Sequence, residues 1–479
     1  MFPSFECSDA RIEQIYRFRA AVFQKHIKQH SYGHVVTEFL SEVPWAGKAN
    51  TISCAAGHHF YEGRWLSRSD VLEDYAKFWF KHGGEPRMYS FWAADSIYAM
   101  YAVTGDSTLP INLLDDLIRN YEAWEKERFD NELGLFWQID GEDGMEFSIG
   151  GSGCRVTINS YMYGEAIAIS RIAKLAGREK ESILYLGKAQ ALKAEVQKKL
   201  WDSSNGFFKT LSNKEGIRHN ASVIAQWPQL QTVLGRNKLN KLVPVRELQG
   251  LLPWYFLLPD DGYEEAWHHL FDAEGFKARY GPTTAERRDP YFMYEHPHEC
   301  LWNGPSWPYA TSQTLDALAN VLNEYDQSIM TSAHYYELLQ TYTNSQWVRM
   351  KDTTEIPWID ENLHPDTGEW LARARLYDRN DAHKDRGRDY NHSAYCDHII
   401  TGLAGIRPSI GSTLTINPLI SSAELDYFRL KDVHYHGRNV TVSYDASGEK
   451  YGCGKGLSVW IDGTKALHVD ELRKVSLQL

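Results

Sequence analysis

Two clusters of acidic residues are the parts of this chain best suited to chemistry, although they lie far apart in the sequence. The first is Glu142-Asp143-Gly144-Met145-Glu146, and the second is Asp360-Glu361, followed by the turn sequence Pro365-Asp366-Thr367-Gly368. A pair of carboxyl groups can protonate a leaving oxygen and activate a water molecule on the opposite side of the bond. That division of roles is the chemistry of glycoside hydrolysis. The remaining chain must bring both clusters to one cleft.

The composition is ordinary for a globular protein except in its aromatic content. Aromatic residues reach 13% of the 479 residues, with 16 Trp and 28 Tyr. Their rings suit the apolar faces of sugars, and their polar edges can hydrogen-bond hydroxyl groups. Large helical proteins also use aromatic residues as core filler, so composition alone does not separate the two explanations. The net charge of -12 argues against nucleic acid and anionic membranes as partners, because both require a basic surface.

The N-terminus and the cysteines bear on the compartment. Residues 1–7 lack the basic region and apolar stretch of a signal peptide, and no apolar run approaches the roughly 20 residues that span a bilayer. These features predict a cytoplasmic protein, although a trimmed secreted or periplasmic chain would look the same. The six scattered cysteines form no Cys-x-x-Cys pair, which favours free thiols, while their even number is also compatible with disulfides.

Most of the first four hundred residues follow a hydrophobic period of 3.6, which predicts helices. Start signals support this interpretation, since Ser8-Asp9 precedes the first helix and Ser69-Asp70 opens the second. Stop signals are equally clear at Gly83-Gly84 and Gly177. The predicted helices cover residues 10–29, 69–83, 93–103, 109–128, 158–176, 180–201, 218–227, 244–256, 262–271, 306–325, 332–348 and 391–404.

The connections between these helices alternate between short turns and long loops rich in Trp, Gly, His and acidic residues. Loops of more than about 15 residues are uncommon in a compact domain unless they are functional. A dozen helices joined in this way predict an (α/α)6 barrel of six hairpins over residues 1–405. After residue 405, alternating apolar residues and glycine-bearing turns predict a small β-rich module over 406–479. The long loops are predicted at 44–66, 130–155, 273–305 and 350–390.

The first acidic cluster resembles a motif of glycoside hydrolase family 63, which includes processing α-glucosidase I and the mannosylglycerate and glucosylglycerate hydrolases. In that family an acid-Ser-Gly-Met/Leu-Asp loop precedes a helix and carries the general acid as its last residue. The resemblance implies that Glu146 is the proton donor, with Glu in place of the usual Asp. Asp143 is the alternative donor. Without the resemblance, the cluster would be read as a solvated acidic loop.

The second cluster, Glu361-Asn362-Leu363-His364-Pro365-Asp366-Thr367-Gly368, resembles the Glu-x-Tyr-x-Pro-x-Thr-Gly turn of the same family. The Glu of that turn is the general base, so the resemblance implies this role for Glu361. A Pro-Asp-Thr-Gly sequence is also a type I turn signature by itself. The alternative is therefore a hairpin without catalytic function.

Further segments resemble walls of the family's sugar-binding pocket. Trp92 and Asp95 match a helix start that binds the innermost sugar, and an Asp there could otherwise cap its helix. Trp302, Asn303 and Trp307 match a loop at the start of another barrel helix. The other candidate substrate-binding residues are Glu142, Asp143, Trp358, Tyr390, His392, Arg64 and Trp65, of which Arg64 and Trp65 have no clear family counterpart.

Other constellations favour structural explanations. Histidines occur at 58–59, 296, 298, 383, 392 and 398, but without His-Glu-x-x-His spacing or paired cysteines they predict neither a metal site nor another cofactor. No Gly-x-Ser-x-Gly sequence supports a serine nucleophile. The charged segment 378–389 is predicted to be a solvated loop.

These observations predict an inverting, exo-acting glycoside hydrolase whose partner is a carbohydrate, with an α-linked glucoside or a related sugar as substrate. One alternative is an α-L-rhamnosidase or trehalase-like hydrolase of a related barrel clan. Another is a polysaccharide lyase on an α/α toroid, which would need basic residues to neutralise a uronate. A third is a sugar-binding protein with an inactive site. The sequence does not specify the oligomeric state.

Overall fold

The computed structural model describes residues 1–350 and 352–479 and consists mainly of helices, as predicted. Two 3-10 segments, Leu248–Phe256 and Glu264–Leu270, take the places of longer helices. A π-helical turn, Ile399–Leu403, directly continues the last α-helix. The α-helices are α1 (Ala10–His26), α2 (Ala56–Gly63), α3 (Asp70–Lys81), α4 (Ala93–Thr104), α5 (Thr108–Arg128), α6 (Val156–Leu175), α7 (Glu179–Lys199), α8 (Lys214–Gln226), α9 (Gln231–Leu234), α10 (Pro308–Glu324), α11 (Ser332–Ser345), α12 (Leu371–Asp378) and α13 (Cys396–His398).

Six helical segments form a closed ring in which each packs against the next. In chain order they are α2, α4, α6, the 3-10 segment Leu248–Phe256, α10 and α13, and α13 returns to contact α2. Other helices lie outside this ring: α5 packs against α4 and α6, α7 against α6, α11 against α10, and α1 against α13. Ring and outer segments therefore alternate along the chain.

The ring segments are buried on nearly all sides, and small residues allow their close approach. In α6 most residues are buried, including Glu165, whereas α5 buries only one face. A Cβ atom on Gly164 of α6 would lie 2.3 Å from the ring of Phe256, so only glycine permits this contact between neighbouring ring members. Close packing of this kind is normal for protein interiors.

The predicted loop at 44–66 is wrong in part, because Ala56–Gly63 forms helix α2. Nearly every residue of α2 is buried, including the polar residues His58, His59 and Glu62, so this helix has no solvent-exposed polar face. Helix α12 lies within the predicted loop 350–390 and was missed for a different reason, since only Ala372 and Leu376 of its eight residues are buried.

Within the described residues the strands form several small sheets, of which two are larger than a hairpin. The larger one is antiparallel, with order β1-β12-β13-β14-β15, and the second has order β10-β11-β16. The strands are β1 (Ser4–Cys7), β2 (Ile27–His30), β3 (Gly33–Val36), β4 (Phe129–Asp130), β5 (Leu135–Phe136), β6 (Trp201–Asp202), β7 (Phe207–Phe208), β8 (Trp347–Arg349), β9 (Glu355–Pro357), β10 (Ile406–Arg407), β11 (Thr413–Ile416), β12 (Tyr427–Tyr435), β13 (Arg438–Asp445), β14 (Gly456–Ile461), β15 (Thr464–Val469) and β16 (Val475–Gln478).

Strands β10 to β16 lie in the segment predicted to be rich in β-structure, but the larger sheet takes one edge strand from the N-terminus. Strand β1 pairs with β12, with Phe5 opposite Leu430. The sheet also contacts the C-terminal end of α4, where His436 donates its backbone N–H to the carbonyl of Val103 at 2.9 Å. The N-terminal strand β1 therefore belongs to the sheet that contacts this end of the ring.

Two smaller expectations concern the cysteines and membranes. All six cysteines are free thiols, as the sequence favoured. Within residues 1–350 and 352–479, no helix combines the length and apolar character that crossing a membrane requires.

Candidate active site

A cavity of about 250 Å³ lies among the loops that precede the ring segments. Tyr89 precedes α4, Glu146 precedes α6, Trp307 immediately precedes α10, and Tyr390 precedes α13. Both predicted catalytic residues, Glu146 and Glu361, line this cavity. The complete lining is Glu38, Phe39, Trp45, Ile52, Cys54, Tyr89, Gly144, Glu146, His298, Glu299, Cys300, Trp307, Glu361, Arg386 and Tyr390.

The loop that carries Glu146 follows an unusual backbone path. Gly144 has φ +71°, and a Cβ atom there would lie 2.3 Å from Cys54 Sγ, so glycine is required. Phe147, directly after Glu146, also has a positive φ of 58°. This conformation costs roughly 1–3 kcal/mol for a non-glycine residue and is maintained only by surrounding contacts. One such contact is the hydrogen bond that Tyr294 Oη donates to the Phe147 carbonyl at 2.7 Å.

Asp143 anchors this loop and does not line the cavity. Its side chain is fully buried and forms an ion pair with Arg155, whose Nε lies 2.6 Å from Oδ2. Ser90 Oγ donates a further hydrogen bond to Oδ1 at 2.6 Å, and Thr157 also donates to this carboxylate. Asp143 therefore ties the loop to the start of α6, and this arrangement removes the geometric basis for Asp143 as the alternative proton donor.

Glu146 lies in an environment that favours its protonated form. Its side chain retains some exposure to the cavity, yet it is otherwise enclosed by protein. Burial raises the pKa of Glu146 from 4.5 to about 8, and the nearby carboxyl groups of Asp140, Glu361 and Glu38 contribute in the same direction. A carboxyl group with such a pKa keeps its proton at neutral pH.

The segment that carries Glu361 is fixed to the N-terminal end of α10. Leu363 and Ser306 exchange two backbone hydrogen bonds, of 2.9 and 3.0 Å. Ile359, Leu363 and Trp370 form a small hydrophobic cluster of their own beneath this segment. Two independent supports, hydrogen bonding and packing, thus hold the Glu361 backbone.

The Glu361 carboxylate is paired on both oxygens. Arg386 donates from Nε to Oε1 at 2.8 Å, and Cys300 donates its thiol to Oε2 at 3.0 Å. Arg386 also forms an ion pair with Glu299 at 2.7 Å. Burial alone would raise the pKa of Glu299, but hydrogen bonds from Arg386 and Arg379 outweigh it and lower this pKa to about 2.

The prediction that segment 378–389 is a solvated loop is wrong for its most important residue. The side chain of Arg386 is only 5% exposed and serves as the cation of the cavity. Arg386 also contacts an aromatic ring, since its guanidinium lies 4.8 Å from the centroid of Trp45. Because the segment carries many charged residues, its sequence did not indicate that Arg386 is buried.

The aromatic residues of the predicted pocket are divided between the cavity wall and the layer behind it. Trp307 and Tyr390 line the cavity. Trp302 stacks on Trp307 with ring centroids 4.7 Å apart, and its backbone N–H donates to the Glu146 carbonyl at 3.0 Å. His392 packs against Tyr390 at 3.9 Å and contacts the Glu361 carbonyl through Nε2 at 3.2 Å. Trp302 and His392 therefore support the residues that face the cavity.

Trp92 and Asp95 lie in the ring interior outside the lining of the cavity. Trp92 is completely buried and packs against Tyr161 with a centroid distance of 4.6 Å. Asp95 accepts a hydrogen bond from Tyr61 Oη at 2.7 Å. Their family motif thus specifies a helix start here, and both side chains make contacts within the protein.

The remaining predicted pocket residues also lie outside the cavity lining. Arg64 and Trp65 both donate to Asp397 Oδ1, at 3.0 and 2.5 Å. Asn303 donates to the Tyr294 carbonyl at 2.7 Å. Glu142 is partly exposed and forms an ion pair with Arg128, and Trp358 is half-buried beneath Arg373 and Arg388.

Several residues of the cavity carry no sequence signal of their own. Glu38 follows the hairpin β2–β3 in a segment without a recognisable motif, and Glu299 and Cys300 lie in the long loop 273–305. For Glu299 and Cys300, the signal that could have indicated them was the high content of aromatic and acidic residues in their loop.

A second polar cluster lies in the ring interior. Asp316, Asp397 and His398 offer ligand atoms within 4.8 Å of one another. Arg64 neutralises Asp397 at 2.8 Å, and His398 Nδ1 lies 3.4 Å from Asp316 Oδ1. The cluster can therefore balance its charge with protein groups, and the expectation that no metal takes part stays a prediction.

Comparison with known protein families gives a direct assignment. The model of the mannosylglycerate hydrolase MGH1-like glycoside hydrolase domain matches residues 48–393, well over half of the chain. The chain belongs to the MGH1-like glycoside hydrolases. It therefore has a glycoside hydrolase domain, and the resemblance to family 63 is confirmed. Among curated proteins, no match is found.

Solved structures similar to this MGH1-like glycoside hydrolase include one named Sialidase, which is 38% identical over 99% of the chain, with a TM-score of 0.88. The present chain spans only 41% of that protein's length. The GH63 mannosylglycerate hydrolase from Thermus thermophilus, in complex with glucose, is 13% identical and matches 76% of this chain and all of its own, with a TM-score of 0.53. The GH78 rhamnosidase of Bacillus sp. GL1 is 11% identical and matches 96% of this chain and 41% of its own, with a TM-score of 0.59. The latter two show a shared fold.

Proposed function

We propose that this MGH1-like glycoside hydrolase is an inverting, exo-acting enzyme that removes a single neutral sugar, with Glu146 as general acid and Glu361 as general base. The observation that carries the proposal is the pairing of two carboxyl groups with different environments in one cavity. Glu146 is enclosed without a cationic partner among the described residues, whereas Glu361 contacts Arg386. Such a difference is the usual way to assign the acid and the base.

In the proposed reaction the proton of Glu146 moves to the glycosidic oxygen as the bond between that oxygen and the anomeric carbon breaks. A water molecule attacks the anomeric carbon from the opposite face, and Glu361 takes the proton that the water loses. Although both Glu361 oxygens already accept a hydrogen bond, each has a second lone pair that can accept this proton. Inversion requires about 6.5–9.5 Å between the two carboxyl groups in the sugar complex, which leaves room for the water.

The size of the cavity favours cleavage at a chain end. Its volume of about 250 Å³ is below the roughly 300–1,000 Å³ of most ligand pockets, which suits one sugar ring. The closed ring of six segments supports our interpretation of the fold as an (α/α)6 barrel with the cavity at one end. We further propose residues 1–405 as the barrel and 406–479 as the β-rich module, with β1 as an N-terminal addition to its sheet.

The charge of the cavity favours a neutral sugar. Among the described residues, four glutamates, at positions 38, 146, 299 and 361, line it together with one arginine. With Glu38 and Glu146 protonated, the carboxylates of Glu299 and Glu361 are matched by Arg386 and Arg379, so neither arginine is left free to pair with an anionic sugar. This argues against a uronate lyase, against sialic acid despite the name of the 38% identical relative, and against a glycerate aglycone bound within the same cavity.

An α-linked glucoside or a related neutral sugar such as rhamnose therefore remains the proposed substrate class. The test is a panel of aryl α-D-glucopyranoside, α-D-mannopyranoside, α-L-rhamnopyranoside and sialoside substrates, with the first-formed anomer of the product followed by NMR. We expect hydrolysis of a neutral member with inversion. Hydrolysis of the sialoside alone would reject the neutral-sugar proposal, retention would reject the roles of the two carboxyl groups, and no hydrolysis at all would favour an inactive sugar-binding site.

A further inference from the structure

Glu38 is one of the four glutamates of the cavity, and it lies outside both acidic clusters and outside the matched family domain. It lies ten residues before the first position of the family match, 48 − 38, and enters the cavity from the segment after the hairpin β2–β3. The residue is only 4% exposed. A buried carboxyl group in a segment outside the matched domain needs a physical explanation.

The backbone and one oxygen of Glu38 are fixed by the segment that precedes α13. The Glu38 carbonyl accepts a hydrogen bond from the Asn391 backbone N–H at 3.1 Å, and Asn391 Nδ2 also donates to the Thr37 carbonyl at 3.2 Å. Tyr390 Oη donates to Glu38 Oε1. Phe39 packs against Tyr390 with ring centroids 4.7 Å apart. The carboxyl group is therefore held in one orientation before any ligand binds.

The second oxygen, Oε2, is buried and has no hydrogen-bond partner among the described residues. A buried carboxyl oxygen without a partner destabilises the folded protein, and a ligand hydroxyl could relieve this penalty. Burial also raises the pKa of Glu38 from 4.5 to about 8, and the charge of Glu361 adds to this effect. At neutral pH the group is thus a carboxylic acid that can donate as well as accept a hydrogen bond.

We propose that Glu38 binds a hydroxyl group of the sugar in the catalytic cavity through Oε2, so that a segment outside the family domain determines which neutral sugar this enzyme accepts. This inference rests on the proposed hydrolase function and deepens it. Trp45, in the same segment, supports the assignment, because its exposed ring lies against Arg386 at the cavity and can cover a bound sugar.

The test combines enzyme variants with substrates that lack single hydroxyl groups. Glu38→Gln and Glu38→Ala are compared with Glu42→Gln, an exposed glutamate of the same segment. For the preferred aryl glycoside we expect Glu38→Ala to raise KM by roughly 10-fold to 100-fold with kcat within about threefold, because a buried hydrogen-bonding group is lost. Glu38→Gln should show a smaller increase, and Glu42→Gln should match the wild type.

Deoxy substrates separate a sugar contact from a merely structural role. For one monodeoxy analogue, the wild type should already bind weakly, and Glu38→Ala should add little further loss, because the same interaction is missing twice. A structural role would instead weaken binding equally for all deoxy analogues. Equal losses for every analogue, or unchanged KM in Glu38→Ala, would overturn the proposal.

Two further outcomes separate this inference from the proposed function. If Glu38→Gln abolishes kcat at unchanged KM, Glu38 is the proton donor, and both the binding role and the role of Glu146 are wrong. Calorimetry with free D-glucose, D-mannose and L-rhamnose provides a readout that does not depend on turnover. Weakened binding in Glu38→Ala with an inactive wild type would support Glu38 while rejecting the hydrolase mechanism; equal binding by variant and wild type would overturn Glu38 alone.

Discussion

Glu146 and Glu361 line the same cavity, but their carboxyl groups have opposite environments. In the Glu146 loop Arg155 pairs with Asp143, and the pKa of Glu146 is raised mainly by burial and further by its acidic neighbours. In contrast, Glu361 accepts a hydrogen bond on each carboxylate oxygen, from Arg386 on Oε1 and from Cys300 on Oε2. The two glutamates therefore differ in burial and in partners: Glu146 is enclosed without an arginine partner among the described residues, whereas Glu361 is paired with Arg386.

The strongest test of this comparison uses the leaving group. We expect Glu146→Gln and Glu361→Gln each to reduce kcat by roughly 10²–10⁴ on a glycoside with a poor leaving group. A 2,4-dinitrophenyl glycoside needs no protonation, so it should restore most of the activity of Glu146→Gln and none of that of Glu361→Gln. Steady-state kinetics on the two substrates measure this.

Matched controls for that experiment are Glu132→Gln and Glu369→Gln, which alter exposed glutamates near each loop and should keep wild-type kinetics. Equal rescue of both catalytic variants would contradict the assignment. Rescue of Glu361→Gln alone would exchange the two roles.

Removal of Arg386 should make the two environments more alike. Arg386→Met leaves Glu361 and Glu299 without their shared cation, so we expect a loss of about 3–5 kcal/mol in the free energy of unfolding and a kcat reduced by roughly 100-fold. Urea denaturation and steady-state kinetics provide the two measurements. Arg388→Met, at an exposed position two residues on, is the control. A stable and active Arg386→Met enzyme would show that the ion pair does not support the base.

The pH dependence of activity should report the raised pKa of Glu146. Only the protonated form can donate to the leaving oxygen, so kcat/KM should fall as the pH rises through about 8. The 2,4-dinitrophenyl substrate should lack this alkaline decrease. An alkaline limb that is identical for both substrates would assign it to another group.

The smallest expected effect concerns stability. Because the pKa of Glu146 is raised from 4.5 to about 8 in the folded state, the folded protein binds a proton that the unfolded chain releases between these pH values. Stability therefore decreases as the pH rises from about 4.5 to 8 and remains at the lower level above it. Glu146→Gln removes this dependence, so its Tm should exceed that of the wild type by more at pH 8 than at pH 5. A constant Tm difference would contradict the raised pKa.

The two catalytic candidates could be proposed from local sequence because each motif is contained within a short loop. Glu146 precedes a helix, and Glu361 precedes a turn, and the resemblance of both motifs to glycoside hydrolase family 63 indicated the two residues. For Trp92 and Asp95 the motif marks a helix start, and their side chains pack inside the ring, outside the lining of the cavity. A motif predicts backbone geometry more reliably than it predicts the direction of a side chain.

Other features depended on contacts between distant parts of the chain. Glu38 meets Tyr390 across 352 positions, and no local pattern distinguishes it from an exposed glutamate. Arg386 lies in a segment whose charge predicted exposure, and only the position of Glu361 and Glu299 explains its burial. Helix α2 buries even its polar residues, because as a ring member it packs between α4 and α13.

The sequence by itself determined that the chain is mainly helical, that it belongs among glycoside hydrolases, and which two loops carry the catalytic candidates, because periodicity and short motifs are local properties. Only the tertiary structure decided which charged groups meet in the cavity. Ionisation depends on burial and on neighbours within a few ångströms, and those neighbours come from the N-terminal segment, the 273–305 loop and the region before α13.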